Sequence, residues 1–202
     1  MISIVDYGIG NIGSIENMLK KVGIDVEIIN SPNALEKTKK IILPGVGAFD
    51  DGMKLLKNNN WIEILNRKVL IEKIPVLGIC LGMQLMTKSS EEGVEAGLGW
   101  VDAIVKKFKF ENKDIKIPHM GWNDVIPNKD SEFLFNLNEG ARFYHVHSYF
   151  VSLNQNEGIL AETNYGGKFT SAFNFDNIYG VQFHPEKSHK YGKQLLLNFS
   201  KV

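Results

Sequence analysis

The run Pro75-Val76-Leu77-Gly78-Ile79 is apolar at every position. A strand with one wet face alternates apolar and polar side chains, whereas a strand covered on both faces does not. Strands of the second kind belong to parallel sheets sandwiched between helices. The rest of the first half agrees. Residues 2–6 form a short run rich in β-branched residues, and Ile12, Ile15, Leu19 and Val22 then recur at helical spacing before Gly23. Residues 26–29 and 40–43 read as further strands, stopped by Ser31-Pro32 and Pro44-Gly45. Residues 55–70 read as a helix with Trp61, Ile64 and Leu65 inward, and a helix over 81–88 follows the all-apolar strand. Alternation of this kind predicts an α/β fold with a doubly wound, mostly parallel central sheet flanked by helices.

The second half has another rhythm. Segments 101–110, 115–117, 122–126, 142–152, 158–163, 169–175 and 178–183 read as short strands with few helices between them, an antiparallel β region added to the parallel sheet. Residues 189–199 close the chain as an amphipathic helix with Tyr191, Leu195, Leu196 and Phe199 inward. No repeat or linker divides the sequence, so one domain over 1–202 is expected. Lysine plus arginine balances aspartate plus glutamate at 23 each, which gives no electrostatic argument for nucleic acid or an anionic membrane. No apolar run approaches the roughly 20 residues that span a bilayer. Cys80 is the sole cysteine. The lack of a disulfide framework and of an export-like segment at residues 1–6 points to the cytoplasm.

That cysteine sits in Gly78-Ile79-Cys80-Leu81-Gly82, between strand and helix, the Gly-x-nucleophile-x-Gly form of a nucleophile elbow. Gly78 and Gly82, two residues to either side, are glycine because the turn is too sharp for a β-carbon there. Amides at the start of the following helix favour thiolate over thiol, and that of Leu81 is placed to bind an oxyanion. A lone cysteine is more often a small buried core residue; strand, glycines and helix together reverse that expectation here. His184-Pro185-Glu186 follows the 178–183 strand. In extended chain residues i and i+2 point the same way, and proline holds that geometry. A carboxylate beside an imidazole fixes its tautomer and stabilises its charged form, completing a Cys-His-acid triad. An isolated His-x-Glu would more often be a strand end and a solvated charge, so the pairing with the elbow is what makes it informative. His119, His145 and His147 are expected to order loops near the site, and His189 to be exposed. His145 and His147 alternate as metal ligands can, but no carboxylate cluster or cysteine pair accompanies them, so no metal site and no cofactor are expected.

The blocks 6–11, 44–49, 78–84, 118–123, 147–149 and 182–188 occur in an order similar to that of the class I, triad-type glutamine amidotransferases. The resemblance runs from end to end and extends to their HisH-type members, the glutaminase subunits of imidazole glycerol phosphate synthases. It implies a glutaminase that passes ammonia to a barrel-type synthase subunit in a heterodimer serving histidine biosynthesis. It also implies that Val46 joins Leu81 in the oxyanion hole, and that Gly47, Gln84, Glu92, Ser148 and Tyr149 contact glutamine. Trp122, Tyr144 and Lys187 match positions at the synthase interface. A paralogous group that supplies ammonia for amidation of a surface sugar resembles the chain too, and its triad is the same. A third reading comes from Gly8-Ile9-Gly10-Asn11-Ile12-Gly13, which fits the Gly-x-Gly-x-x-Gly of dinucleotide-binding loops. The acidic residue such a site needs would end the second strand, where Ile29-Asn30 stands instead.

Overall fold

The computed structural model describes residues 1–137 and 140–202. In chain order the elements of the first half are β1 (Ile2–Val5), α1 (Ile12–Lys21), β2 (Val26–Ile29), β3 (Ile41–Leu43), α2 (Phe49–Asn58), α3 (Trp61–Asn66), β4 (Val76–Ile79), α4 (Leu81–Leu85) and β5 (Ser89–Ser90). The second half contributes β6 (Ala103–Lys107), β7 (His119–Asp124), β8 (Ile126–Pro127), β9 (Arg142–His147), β10 (Tyr149–Leu153), β11 (Ile159–Asn164), β12 (Lys168–Phe175), β13 (Ile178–Val181) and α5 (His189–Phe199).

Eight strands form the main sheet in the order β2-β1-β3-β4-β13-β12-β11-β8. From β2 through β13 the neighbours run parallel, and from β13 through β8 antiparallel. Two smaller sheets, β10-β6-β5 and β7-β9, are attached to this framework. The sheet explains why the strands are apolar throughout. Val5, Ile41, Leu43 and Val76 face Phe49, Met53, Trp61 and Leu65 of α2 and α3. Their strand neighbours Ile4, Ile42, Leu77 and Ile79 face Ile15 and Leu19 of α1 and Leu195, Leu196 and Phe199 of α5. All of these side chains are buried, and each fully buried aliphatic or aromatic residue contributes about 1.5–3 kcal/mol.

The differences from the sequence reading have local causes. The expected helix over 55–70 is two helices. α2 starts earlier, where the Phe49 amide donates to the Glu92 carboxylate at 2.9 Å, and it ends before Asn60, whose backbone turns left-handed at φ 59°. Residues 67–71 continue α3 as a π turn, in which the buried Lys68 ammonium donates to the Glu36 carbonyl and the Glu72 carboxylate. Segment 115–117 forms no strand and leads into the cis Ile117–Pro118 bond. The single strand expected over 142–152 divides at Ser148, because β9 pairs with β7 while β10 pairs with β6.

α5 approaches the turn after β13 so closely that a β-carbon at Gly192 would lie 1.8 Å from the Pro185 carbonyl oxygen. Alanine normally gains up to about 1 kcal/mol over glycine inside a helix. Here the clash wins, and Gly192→Ala should destabilise the protein by about 2 kcal/mol, lowering the melting temperature by roughly 4–8 °C. An unchanged or raised melting temperature in calorimetry would refute this packing.

Candidate active site

β4 and β13 lie side by side with Gly78 opposite Gly180 and Ile79 opposite Val181. The Cys80 amide then donates to the Val181 carbonyl at 2.8 Å. Whatever follows these two strands therefore emerges together at the carboxyl edge of the sheet, where ligands of open α/β sheets bind. From β4 comes Cys80, and from β13 come Gln182, Phe183 and His184.

The elbow has the expected form. Cys80 adopts φ 53°, ψ −110°, a conformation that costs an L-residue energy and persists only when its surroundings impose it. A β-carbon at Gly78 would come within 2.7 Å of the Met83 backbone, and one at Gly82 within 1.9 Å of the Leu43 carbonyl oxygen. The strand-to-helix turn closes only without them. α4 is shorter than the expected 81–88, at five residues. Its electrostatic effect on the sulfur is thus that of a few first-turn amides.

His184 Nδ1 and Glu186 Oε1 are 2.8 Å apart. Both side chains are about 1% exposed. Asn11 reaches the same carboxylate oxygen from the start of α1 at 3.4 Å. The His184 backbone is pinned to β9, its amide donating to the Tyr144 carbonyl at 2.9 Å, and the Ser188 hydroxyl donates to the His184 carbonyl at 2.6 Å. With Nδ1 committed to Glu186, Nε2 is the nitrogen left to serve Cys80. It makes no hydrogen bond to the described residues. Burial disfavours a charged His184, but the neighbouring Cys80 and the hydrogen-bonded carboxylate of Glu186 more than offset it and raise the pKa to about 10. The imidazole is held in its protonated form, as a donor of a proton to a leaving group must be.

Cys80 and His184 line a cavity of about 320 Å³ together with Val46, Gly47, Leu81, Gln84, Glu92, Ser148 and Tyr149. Hence every residue expected in the oxyanion hole or at the substrate reaches one pocket. Glu186 stands behind His184. The volume is at the small end of ligand pockets and suits an amino acid. Of three larger hollows, those lined by parts of 126–137 and by parts of 114–120 with 164–166 hold none of the triad, and the third, of about 420 Å³ between α1 and α5, meets only Glu186. Gly47 has φ +105°, and Gly45 is glycine for another reason, since a β-carbon there would lie 2.8 Å from Leu81 and Gly82. Trp122, Tyr144 and Lys187 gather outside the pocket. Trp122 is opposite Tyr144 in the β7–β9 ladder, Lys187 Nζ lies 5.4 Å from the Tyr144 ring centre, and the exposed His189 stacks on Trp122 at 5.3 Å.

Two participants were not singled out from the sequence. Gln182 donates to Cys80 Sγ at 3.8 Å through Nε2 and accepts from Gln84 Nε2 at 3.1 Å. Tyr7 donates to the Pro44 carbonyl at 2.7 Å beneath residues 44–47; burial, and then the charge of Cys80, hold it as a neutral phenol. The glycine-rich 8–13 loop packs against this site. A β-carbon at Gly10 would meet Pro44 at 3.1 Å, and Asn11 braces Glu186.

The histidines are closer to one another than expected. One nitrogen each from the buried His119, His145 and His147 lies within 4.8 Å of the others, a spacing open to a metal ion. The hydrogen bonds specify protons instead. Asn123 Oδ1 accepts from the Asp124 amide and its Nδ2 donates to the Asn164 carbonyl, so Nδ2 is what faces His119 Nε2 at 3.2 Å. His119 Nε2 is then the acceptor and Nδ1 carries the proton.

The class-I glutamine amidotransferase family model matches residues 3–201. The chain belongs to the class-I glutamine amidotransferase family. Over its full length this amidotransferase is 57% identical to the Methanococcus maripaludis protein named imidazole glycerol phosphate synthase subunit HisH 2, of which it covers 99%. It is 49% identical to the protein of that name from Pseudomonas aeruginosa, with 98% of each chain covered. The HisH subunit of Leptospira interrogans is 45% identical over the whole of both chains. The same fold occurs in PurLQS from Thermotoga maritima, with TM-score 0.76 and 16% identity over 99% of this chain and 97% of that one. A putative GMP synthase component from Thermoplasma acidophilum matches at TM-score 0.73 and 21% identity, over 98% and 90%.

In this amidotransferase the folded pKa of His184 lies above its unfolded value of about 6.5. Its contribution to stability is thus complete below about pH 6.5 and is lost as pH rises through about 10. Glu186→Gln removes a carboxylate that raises this pKa, so the His184 imidazolium signal in NMR should titrate at lower pH in that variant. Identical titrations in both proteins would show that Glu186 does not govern the imidazole.

Proposed function

We propose that this chain is the glutaminase subunit of an imidazole glycerol phosphate synthase, acting as one catalytic domain over 1–202 in the cytoplasm and docked in a heterodimer on a barrel-type synthase subunit. The observation that carries the chemistry is the convergence of Cys80, His184 and Glu186 at the carboxyl ends of β4 and β13, with Cys80 and His184 lining a cavity of amino-acid size and Glu186 behind the imidazole. The relatives' names, each a subunit of an imidazole glycerol phosphate synthase, support this acceptor and a partner subunit. No helix among the described residues is long and apolar enough to cross a membrane.

In this reading Cys80 Sγ, as thiolate, attacks the side-chain carbonyl carbon of glutamine, and the carbonyl electrons move onto oxygen. The backbone amides of Val46 and Leu81 receive that oxyanion, each worth about 3–4 kcal/mol in the transition state. The His184 imidazolium gives its Nε2 proton to the departing nitrogen. Ammonia leaves, and a glutamyl thioester remains on Cys80. Neutral His184 then takes a proton from water, which cleaves the thioester and releases glutamate. Glu186 holds the imidazole through Nδ1 in both steps. Gly47, Gln84, Glu92, Ser148 and Tyr149 hold the amino-acid end of the substrate. The Glu92 oxygen that accepts from Phe49 fixes this carboxylate beside the pocket while its second oxygen is left for the ligand.

Ammonia freed into neutral water becomes ammonium, which is not a nucleophile, so the product requires a sheltered path. The exposed face carrying Met120 and Trp122, at 62% and 39% exposure, with Tyr144 and Lys187 beside them, is where the synthase subunit docks.

Cys80→Ala should lose glutaminase turnover by at least about 10⁴-fold while folding normally and still binding its partner. The direct test is a coupled assay with the barrel-type synthase subunit of the same cell, in which glutamine turnover should rise on complex formation. No stimulation, or capture from lysate of a sugar-modifying synthase in its place, would overturn the assignment to histidine biosynthesis. Turnover surviving in Cys80→Ala would overturn the triad.

A further inference from the structure

We propose that His119 and His147 act as a positioning pair, a hydrogen-bonded link that ties the glutamine-binding segment Ser148–Tyr149 to strand β7. The inference rests on the glutaminase reading above for its functional consequence, and on geometry alone for the link.

Ser148 is where the chain leaves the β7–β9 ladder and enters the β10–β6 ladder. At that step the segment has little ladder of its own; Ser148 contributes a carbonyl to the Phe108 amide at 3.1 Å. Side chains hold the rest. The Tyr149 carbonyl accepts from His147 Nδ1 at 2.7 Å and from Gln84 Nε2 at 3.2 Å, which uses both of its lone pairs. Because His147 Nδ1 faces a carbonyl it must carry the proton, so Nε2 is bare and accepts from His119 Nδ1 at 3.2 Å. His119 Nε2 in turn accepts from Asn123, beside Trp122 on β7. A polar chain of defined direction thus runs from Asn123 through His119 and His147 to the Tyr149 carbonyl. Gln84 and Gln182 continue it to Cys80 Sγ.

The pair is suited to holding rather than to proton transfer. His119 and His147 are buried, and burial pushes their pKa values down to about 4 and about 3. Both stay neutral wherever the enzyme works, so the direction of every bond in the chain is constant. His145, entirely buried, approaches the same His147 Nε2 through its Nδ1 at 3.2 Å and backs the pair from β9.

The test uses the full chain carrying Cys80→Ala, so that glutamine is bound without being consumed. In that background His119→Ala should weaken glutamine binding in calorimetry about tenfold, the effect of losing one buried hydrogen bond of about 1.4 kcal/mol. It should also speed backbone amide exchange over residues 147–150. His119→Asn can present an N–H near the Nδ1 position, and it should stay within about threefold of the parent with slow exchange retained. Asn123→Ala perturbs the chain from its outer end without emptying the core and should give a smaller weakening in the same direction. Unchanged binding and exchange in His119→Ala, or His119→Asn as impaired as His119→Ala, would overturn the proposal. So would one equivalent of zinc retained through dialysis against chelator, because a metal would replace the His119 proton. A parent protein that binds no glutamine would count against the glutaminase reading instead, and exchange over 147–150 would then decide the link.

Discussion

The structure depends on the parallel pairing of β4 with β13. Each strand ends at the same height on the sheet, and each is followed at once by part of the chemical apparatus. Cys80 turns out of β4 through a left-handed residue that the packing of Gly78 and Gly82 imposes. His184 leaves β13 three residues beyond Val181, with its amide bonded to Tyr144. The cost of the strained cysteine is met by an eight-stranded sheet whose two faces are covered by apolar helices. A site built in this way is rigid because its supports are core elements.

Electrostatics then assigns the roles. One imidazole nitrogen is occupied by a carboxylate that is itself buried and braced by Asn11, so the other is the one available to sulfur. Burial alone would keep His184 neutral, and this is the fate of His119, His145 and His147 a short distance away. The carboxylate and the cysteine make the difference. Four buried histidines in one region therefore divide into one that carries charge and three that do not, and the division follows from their neighbours.

Much of this was legible in the sequence because it is written locally. The elbow needs glycines at fixed offsets from Cys80, the His184–Glu186 alignment needs only two residues and a proline, and the apolar β4 run announces a covered strand. What was not legible depends on register between distant segments. His119 meets His147 because they face each other across the β7–β9 ladder, a pairing of residues 28 apart. No local pattern marks it, so the sequence offered only two alternating histidines and a third elsewhere. Gln182 lies within the 182–188 block, yet its contact with Cys80 follows from β4–β13 register. The helix read over 55–70 failed at Asn59-Asn60, where periodicity continues across a left-handed break, and Ser148 separates two strands because their partners differ.

The central claim is that one sulfur, one imidazole and one carboxylate act together on the side-chain amide of glutamine. A structure of the protein after reaction with a diazo-ketone analogue of glutamine tests it most directly. The triad mechanism predicts a single covalent adduct on Cys80 Sγ, its amino-acid end against Gln84, Glu92 and Tyr149. It also predicts His184 Nε2 within hydrogen-bonding distance of the reacting centre. An analogue that leaves Cys80 unmodified, or an adduct whose reacting carbon lies out of reach of His184, would contradict it.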